Sequence, residues 1–167
     1  MSEVRTRTVV VGYDGSPASE RAVVEATPIL AVGRVLVVTV WEPGLAFNLV
    51  DPGLVPAPID IRAALEVDKA MYERAQHLAE HGAQLARKAG VDAEGLAVAD
   101  EASVADTLLR IVRERKASAV VVGSHGHRGV RELLLGSTTR DLIRDAGCPV
   151  VVVSSADRKE TEWSTRD

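Results

Sequence analysis

Residues 120–139 read VVVGSHGHRGVRELLLGSTT, and this stretch decides the fold class. Its β-branched run Val120–Val122 is typical of a strand that is buried on both faces of a parallel sheet. A glycine-rich turn follows, with glycines at Gly123, Gly126 and Gly129. Gly136 then precedes Ser137–Thr139, which predict the start of a helix. A buried strand, a glycine turn and a helix in this order indicate part of a doubly wound α/β domain.

The same alternation of strands and helices extends over the rest of the chain. Apolar, β-branched runs predict five strands, of which the last named has the weakest pattern: Thr8–Val11, Val35–Val40, Ala119–Val122, Val150–Val153 and Leu96–Val98. Helical patterns between these runs predict four helices: Pro17–Ala31, Ile61–Ala89, Val104–Lys116 and Ser137–Asp145. The order predicts a single-domain, doubly wound sheet of five parallel strands with helices on both faces and right-handed crossovers.

Local signals mark where two of the helices begin. Ser16 followed by Pro17 supplies a favourable N-cap and first helical residue. Ser103, with Asp106 three residues later, resembles a capping box. The segment from Trp41 to Asp60 contains four prolines, so it predicts a long excursion between a strand and a helix rather than a linker between domains.

The composition excludes several classes of protein. The 167 residues carry a formal net charge of −4 and only 3% are aromatic, so neither a basic surface nor stacking platforms for nucleic acid are expected. The apolar runs are short, and none approaches the roughly 20 residues of a membrane span. The single cysteine, Cys148, fits a reducing compartment. These features predict a soluble, cytoplasmic domain that binds neither nucleic acid nor membrane.

The last predicted helix begins with a pattern that suits an anion. Gly136 lets a bulky ligand approach the backbone, and the first amides of a helix carry the positive end of its dipole. Ser137, Thr138 and Thr139 add hydroxyl donors, and Arg128 and Arg131 add positive charge nearby. These features predict a phosphate site built from backbone. The lysine of a Walker A loop and the glycine spacing of a dinucleotide fold are both absent from this stretch.

Asp14 follows the first predicted strand, in the sequence VGYDGS. A carboxylate at the end of a strand can accept hydrogen bonds from ribose hydroxyls or from an adenine amine. If the Thr8 and Ala119 strands are neighbours, the Asp14 loop and the glycine loop open on one crevice, at the switch point of the sheet. The alternative interpretation is a turn or helix-cap carboxylate, because Asp-Gly-Ser-Pro is favourable turn chemistry.

These segments together resemble the universal stress proteins, in their ATP-binding branch. The nucleotide motif of that family is Gly-x2-Gly-x9-Gly-(Ser/Thr), and here it is matched by Gly123, Gly126, Gly136 and Ser137. The first strand and helix, VVVGYDGSPASERAV, and the end, GCPVVVV, are also similar to the family and stand in the same order. The resemblance covers Thr8 to Ser154. It implies an adenine nucleotide alpha hydrolase-like domain over residues 1–154, followed by a polar tail at 155–167.

The resemblance also implies roles for matching residues. Asp14 would contact the adenine and ribose side, the backbone of Val40 would frame adenine, and Gly123 would approach the ribose. The residues that would surround the phosphates are His125, Gly126, Gly136, Ser137, Thr138 and Thr139. The implied cofactor is ATP, or another adenine nucleotide, with Mg²⁺ or Mn²⁺. The sequence departs from the common family pattern where His127 and Arg128 replace an Arg-Gly pair.

Three further features have less specific interpretations. His77, Glu80 and His81 match the H-x-x-E-H zinc pattern, but their helix is polar throughout and offers no third ligand, so we interpret them as a solvated face. Cys148 precedes Pro149 at the entry to a buried strand and is interpreted as a small core residue rather than a reactive thiol. Trp163 lies in the polar tail and has no assigned role.

The leading hypothesis is therefore an ATP-binding universal stress protein with a regulatory or protective role in the stress response. Hydrolysis is expected to be slow at most, because no carboxylate–histidine pair or lysine beside the loop forms a catalytic set. The alternatives are a true ATPase or nucleotidyl transferase and a binder of AMP or a cyclic nucleotide. The apolar run Val150–Val153 predicts an edge strand that pairs with its copy in a homodimer, as is common in the family.

Overall fold

The computed structural model describes residues 7–30, 33–44, 61–100, 102–124 and 135–154. The elements follow the predicted order. They are β1 (Arg7–Gly12), α1 (Pro17–Arg21), a π-helical turn (Ala22–Ala26), α2 (Thr27–Leu30), β2 (Gly33–Trp41), α3 (Ile61–Lys88), β3 (Asp92–Ala99), α4 (Val104–Glu114), β4 (Ala119–Gly123), α5 (Ser137–Asp145) and β5 (Val150–Val153).

The five strands form one parallel sheet in the order β3-β2-β1-β4-β5. Val10 of β1 lies between Leu36 of β2 and Val120 of β4, so the predicted neighbours are confirmed. The chain runs outward from β1 to β3 and then crosses to β4 and β5 on the other side. The switch point therefore lies between β1 and β4, and the space outside their carboxyl ends is called here the β1–β4 crevice.

Alternation along the strands divides the core between the two faces of the sheet. Val9 and Val11 of β1 point to the face that is covered by the first helical segment and α3. Val10 points to the opposite face, which α4 and α5 cover. All three valine side chains are fully buried. Burial on both faces explains why the strands are continuous β-branched runs rather than alternating apolar and polar residues.

Side-chain caps hold the starts of two helices as expected. The Ser16 Oγ accepts from the Ser19 N–H at 3.3 Å, and Pro17 occupies the first helical position. The Ser103 Oγ accepts from the Asp106 N–H at 3.1 Å and donates to the Asp106 carboxylate at 2.7 Å. Each cap satisfies an amide that the helix itself leaves without a partner.

The first helical segment differs from the prediction of one regular α-helix. A π-helical turn, Ala22–Ala26, separates α1 from α2. It ends where Thr27, a fully buried residue, donates its hydroxyl hydrogen bond to the Val23 carbonyl. Pro28 has no N–H for the Val24 carbonyl and its ring crowds that carbonyl, which accounts for a local departure from the regular helix here.

The chain that leaves β2 is held against α3. Trp41 contacts the ring of Tyr72, with 5.8 Å between ring centroids. The Gly44 N–H donates to both carboxylate oxygens of Asp68, at 2.9 and 3.0 Å. The predicted proline-rich excursion continues into residues 45–60, which lie outside the described residues, as do Trp163 and the tail.

The two edges of the sheet are β3 and β5. The prediction that Val150–Val153 is an edge strand is confirmed, and its four residues are half-buried. The weak run Leu96–Val98 belongs to the longer strand Asp92–Ala99. None of the described helices, including the 28-residue α3, has the apolar stretch that crossing a membrane requires.

Candidate functional site

Strand order brings most of the predicted nucleotide residues to one end of the sheet. Asp14 follows β1, Val40 lies near the end of β2, and Gly123 ends β4. Gly136 and the first residues of α5 stand beside the end of β4, because the Gly136 N–H donates to the Ser124 carbonyl at 3.1 Å. His125 and Gly126 lie outside the described residues.

The Asp14 carboxylate takes part in a tight turn between β1 and α1. Its Oδ1 accepts from the Ser16 N–H at 3.0 Å, which is the bond of an Asx turn. Gly15, between them, has a φ of +75°, a conformation that favours glycine. This hydrogen bond supports the interpretation of Asp14 as a turn carboxylate. The role of Asp14 as a ligand stays a prediction.

Tyr13, the residue before Asp14, is fixed at three atoms. Its N–H donates to the Val38 carbonyl at 2.8 Å, and its own carbonyl accepts from the Thr39 hydroxyl at 2.9 Å. Its phenol oxygen lies 2.9 Å from Nδ1 of His81 on α3. A Cβ on Gly82 would lie 2.9 Å from the Tyr13 ring, so glycine is required there for the ring to fit. The start of the Asp14 turn is thus anchored to both β2 and α3.

The Tyr13 phenol is protonated at every ordinary pH. Burial raises its pKa to about 12, and the carboxylates of Glu20 and Asp14 add to that rise. The residue is only 2% exposed. A phenolate in this position would lose hydration and lie near two negative charges, which explains the direction of the pKa shift.

Val40 lies beyond the part of β2 that pairs with β1. That ladder ends with Gly12 opposite Val38, and the Tyr13 N–H then bonds to the Val38 carbonyl. Backbone groups of alternate residues in a strand point to the same side. The N–H and C=O of Val40 therefore point to the side of β1, past the last paired residue of that strand. This placement suits the predicted backbone contact to adenine, which remains a prediction.

Gly123 is required by helix packing. A Cβ at this position would lie 2.7 Å from the Ala18 Cβ and 3.0 Å from the Ser19 backbone nitrogen. The first turn of α1 therefore comes close enough to β4 to exclude any side chain. The Gly123 carbonyl accepts from the Thr139 hydroxyl at 3.2 Å, which ties α5 to the same strand end. The approach of Gly123 to a ribose stays a prediction.

The start of α5 presents backbone amides without a side-chain cap. Gly136 is the N-cap residue, and the first bond of the helix runs from the Arg140 N–H to the Gly136 carbonyl at 3.1 Å. The N–H groups of Ser137, Thr138 and Thr139 precede that bond and have no partner within the helix. Their dipoles give this end a partial positive charge, which favours an anion.

Gly136 and Thr139 have different surroundings within this segment. Among the described residues, a Cβ on Gly136 would meet one atom within 4 Å, the Ser124 carbonyl oxygen at 3.6 Å, so this part of the chain does not require glycine there. Thr139 is 3% exposed, and its hydroxyl donates to Gly123. Ser137 is exposed and Thr138 half-buried. Ser137 is therefore the better placed of the three hydroxyls for a ligand in the crevice.

The H-x-x-E-H pattern on α3 has partners other than a metal. His81 contacts the Tyr13 hydroxyl, and Glu80 forms an ion pair with Arg87. His77 is exposed. Within the described ranges, no group of three or more histidine, cysteine, aspartate or glutamate side chains is arranged to hold a metal ion.

Cys148 lies at the opposite end of the sheet from the crevice. It is half-buried and packs against the core that α4 and α5 cover. Burial raises the pKa of its thiol, while a hydrogen bond with the backbone of Val120 acts in the opposite direction. A thiol with a raised pKa is a poor nucleophile, in agreement with its interpretation as a core residue.

Sequence patterns do not identify Tyr13, Thr39 and His81 as parts of this end of the molecule. Their contacts join residues that are 26 and 68 positions apart in the chain, and no motif spacing predicts them. One signal was available at Thr39, which is the only hydroxyl within the apolar run Val35–Val40. A lone hydroxyl in a buried strand needs a hydrogen-bond partner.

Comparison with known proteins identifies the family of this chain. The model of the universal stress protein family matches residues 5–154. The chain belongs to the universal stress protein family. A universal stress protein of Thermus aquaticus is 30% identical over 149 residues, which cover 88% of this chain and 98% of that relative.

Solved structures share the fold of this chain. The structure of MJ0577, a universal stress protein of Methanocaldococcus jannaschii, superposes with a TM-score of 0.72 at 19% identity, covering 92% of this chain and 99% of that one. A universal stress protein in complex with cAMP is 28% identical, with a TM-score of 0.59, covering 90% of this chain and 98% of that one. The predicted family and its five-stranded α/β fold are therefore confirmed.

Proposed function

We propose that this universal stress protein binds an adenine nucleotide, with ATP as the leading candidate, in the β1–β4 crevice. The observation that carries the proposal is the start of α5, where Gly136 supplies no side-chain cap to the first amides of the helix. Hydrogen bonds tie this helix start to the end of β4, at the switch point where doubly wound sheets bind ligands. The cAMP complex of a relative that is 28% identical supports an adenine nucleotide.

Each predicted residue has a role in this proposal. The amides of Ser137, Thr138 and Thr139 and the Ser137 hydroxyl bind phosphate oxygens, and the glycine at 136 leaves room for them. The Asp14 carboxylate accepts from ribose hydroxyls or the adenine amine. The backbone of Val40 frames adenine, and Gly123 approaches the ribose. His125 and Gly126 complete the loop around the phosphates.

A divalent cation, Mg²⁺ or Mn²⁺, would neutralise part of the triphosphate charge. Such ions bind nucleotides mainly through phosphate oxygens and waters and need few protein carboxylates. The described residues of the crevice fit this mode, because they offer helix amides for phosphate rather than a cluster of carboxylates. The net charge of −4 is compatible with an anionic ligand because the local positive potential comes from the helix start.

The proposed role is regulatory or protective, with hydrolysis slow at most. Among the described residues of the crevice we identify no general base beside the start of α5, and amides alone bind a γ-phosphate without activating water. A regulatory nucleotide acts through its different affinities for two conformations. A true ATPase or nucleotidyl transferase would give many turnovers in a steady-state assay. A cyclic-nucleotide binder is the second candidate, since the relative with cAMP favours it.

The test is calorimetry with ATP and Mg²⁺ on the wild type, on Gly136→Val and on Gly147→Val. A Cβ at either glycine would meet no crowded contact with the residues that the structure describes. Gly147 follows the other end of α5 and is the matched control. We expect the wild type and Gly147→Val to bind and Gly136→Val to lose binding with its fold intact. Failure of the wild type to bind any adenine nucleotide at millimolar concentration would refute the proposal.

The identity of the nucleotide can be read from the protein itself. Mass spectrometry of the ligand that copurifies with the full chain distinguishes ATP, AMP and cAMP. Competition calorimetry then ranks their affinities. A preference for the cyclic form over ATP would replace the leading candidate by the second, because helix amides bind a phosphodiester as well as a triphosphate.

We also propose a cytoplasmic homodimer that forms through β5. The Pro149 and Val153 carbonyls accept from β4, so alternation points the backbone of Val150 and Val152 outward. A second copy in antiparallel register would satisfy those groups. Val152→Pro removes one outward N–H, whereas Val152→Ala keeps it. Sedimentation at micromolar concentration should give a monomer for the first and a dimer for the second, and a monomeric wild type would refute this assembly.

A further inference from the structure

We infer that Thr39 is a positioning residue, which orients the Asp14 turn toward the nucleoside half of the ligand through the carbonyl of Tyr13. The inference rests on the proposed function, because it assigns part of the nucleotide affinity to a side chain outside the crevice. Thr39 itself lies in β2 next to Val40, and its side chain points to the face that α1 and α3 cover.

The Thr39 hydroxyl is buried and donates to the carbonyl of Tyr13, which is 26 positions away in the chain. The residue is 5% exposed, and its Oγ1 donates to the Tyr13 carbonyl at 2.9 Å. The neighbouring residues Val37 and Val38 are fully apolar and buried. A valine would fill the same volume in this strand without a donor, so the hydroxyl serves the contact with Tyr13 rather than the packing of the core.

The contact acts at the point where the β1–β2 ladder ends. The last backbone bond of that ladder runs from the Tyr13 N–H to the Val38 carbonyl, at 2.8 Å. The Thr39 hydroxyl then holds the carbonyl on the other side of the same residue. With both atoms of Tyr13 fixed, the ψ angle of Tyr13 and the plane of the Tyr13–Asp14 peptide are set.

The orientation of that peptide decides where the Asp14 carboxylate stands. The carboxylate closes its turn on the Ser16 N–H at 3.0 Å, and Ser16 in turn caps α1 through Ser19. Loss of the Thr39 donor would leave the Tyr13 carbonyl without this bond and let the peptide rotate. The carboxylate would then populate several positions, and the nucleoside contact would lose its preorganisation.

The phosphate end of the proposed site is held by other contacts. Two hydrogen bonds fix the start of α5: the Gly136 N–H donates to the Ser124 carbonyl, and the Thr139 hydroxyl donates to the Gly123 carbonyl. Neither bond involves β2. A substitution at Thr39 should therefore weaken the binding of the nucleoside part and spare the binding of phosphates. A general loss of packing would weaken both.

The experiment compares Thr39→Val, which keeps the volume, with Thr39→Ser, which keeps the hydroxyl. Calorimetry uses three probes: MgATP, adenosine and inorganic tripolyphosphate. A lost hydrogen bond to a buried carbonyl corresponds to roughly a three- to tenfold weakening. We expect that loss for ATP and adenosine in Thr39→Val, less than about a twofold change for tripolyphosphate, and rescue of ATP binding in Thr39→Ser.

A readout without ligand separates this inference from the proposed function. Amide hydrogen exchange at Ser16, measured by NMR in the absence of nucleotide, should become faster in Thr39→Val and remain at the wild-type rate in Thr39→Ser. Unchanged exchange at Ser16, or equal ATP affinity of Thr39→Val and the wild type, would overturn the positioning role. If the wild type bound none of the three probes, the proposed function would be refuted. The role of Thr39 toward a ligand would then be refuted as well, independently of the exchange rates.

Discussion

Substitution of Gly123 by alanine should destabilise the protein, although glycine to alanine in a strand is ordinarily favourable. The added Cβ would lie 2.7 Å from the Ala18 Cβ and 3.0 Å from both the Ala18 carbonyl carbon and the Ser19 nitrogen. Carbon atoms pack best at about 3.5–4.0 Å. Two of the three atoms belong to the backbone of α1, so the helix as a whole must move about 1 Å away from β4 to relieve the contact.

The expected cost follows from two opposing terms. Overpacking of a buried contact costs about 1–3 kcal/mol, and the stiffer unfolded chain of an alanine variant returns about 0.4–1 kcal/mol. The midpoints of these two ranges give a fall of about 1.3 kcal/mol in the free energy of unfolding. With a urea m-value of about 2 kcal/mol/M, the midpoint of unfolding should fall by about 0.5–1 M.

The matched control is Gly136→Ala, at the other glycine of the same motif. Within the described part of the chain its Cβ would meet one atom, the Ser124 carbonyl oxygen at 3.6 Å, and its φ of −57° and ψ of 159° suit any residue. Its free energy of unfolding should stay within about 1 kcal/mol of the wild type. Urea unfolding followed by circular dichroism tests both variants. A Gly123→Ala protein as stable as the wild type, or a Gly136→Ala protein that loses more than Gly123→Ala, would refute the reasoning.

Two further predictions concern the buried phenol of Tyr13 and the hydroxyl of Thr139. Because the pKa of Tyr13 is raised to about 12, the folded state holds this proton more tightly than the unfolded chain, with its ordinary value near 10. The associated stability is complete below pH 10 and lost as the pH rises through 12, so the wild type should lose on the order of 2 kcal/mol more than Tyr13→Phe over that range. Urea unfolding at pH 9 to 12 measures this, with Tyr72→Phe as control, and equal losses in wild type and Tyr13→Phe would contradict it. Thr139→Val leaves the Gly123 carbonyl without its hydroxyl donor and should cost about 1–2 kcal/mol by urea unfolding, whereas Thr139→Ser should cost less; equal stability of the two variants would exclude a role for the hydroxyl.

The fold could be predicted because its signals are local. Strands that are buried on both faces must be nearly continuous apolar runs, and Val9, Val10 and Val11 are fully buried as such a run requires. The caps at Ser16 and Ser103 were predictable because each joins residues three positions apart.

The elements that sequence patterns missed depend on tertiary contacts. The edge strand β3 begins with Asp92–Gly95, whose composition is typical of a loop, and it becomes a strand by pairing with β2 over eight residues. The π-helical turn has a partial signal in the sequence, because Pro28 has no N–H to donate to the Val24 carbonyl in a regular helix. It accompanies the bond of the buried Thr27 hydroxyl to Val23, a contact that only the packed helix reveals.

The candidate site was predictable to the level of its motif. The spacing of Gly123, Gly136 and Ser137 placed a glycine turn and a helix start together. The spacing could not show that Gly123 is required by the approach of Ala18, while a Cβ on Gly136 would have room among the described residues. The two glycines of one motif therefore differ in why glycine stands there. The difference depends on tertiary packing, because α1 packs closely against Gly123.

The amides at the start of α5 have a consequence for mutational scanning. Every residue except proline carries an N–H, so truncation of Ser137 or Thr138 to alanine leaves those donors in place. An alanine scan of the segment would test the Ser137 hydroxyl but would leave the contribution of the backbone amides unmeasured. Substitutions that act on the main chain would reveal it: proline removes a donor, and a bulky residue at position 136 obstructs access to the others. The positive potential of this helix start comes from its peptide groups. It should therefore persist when the side chains of the segment are substituted.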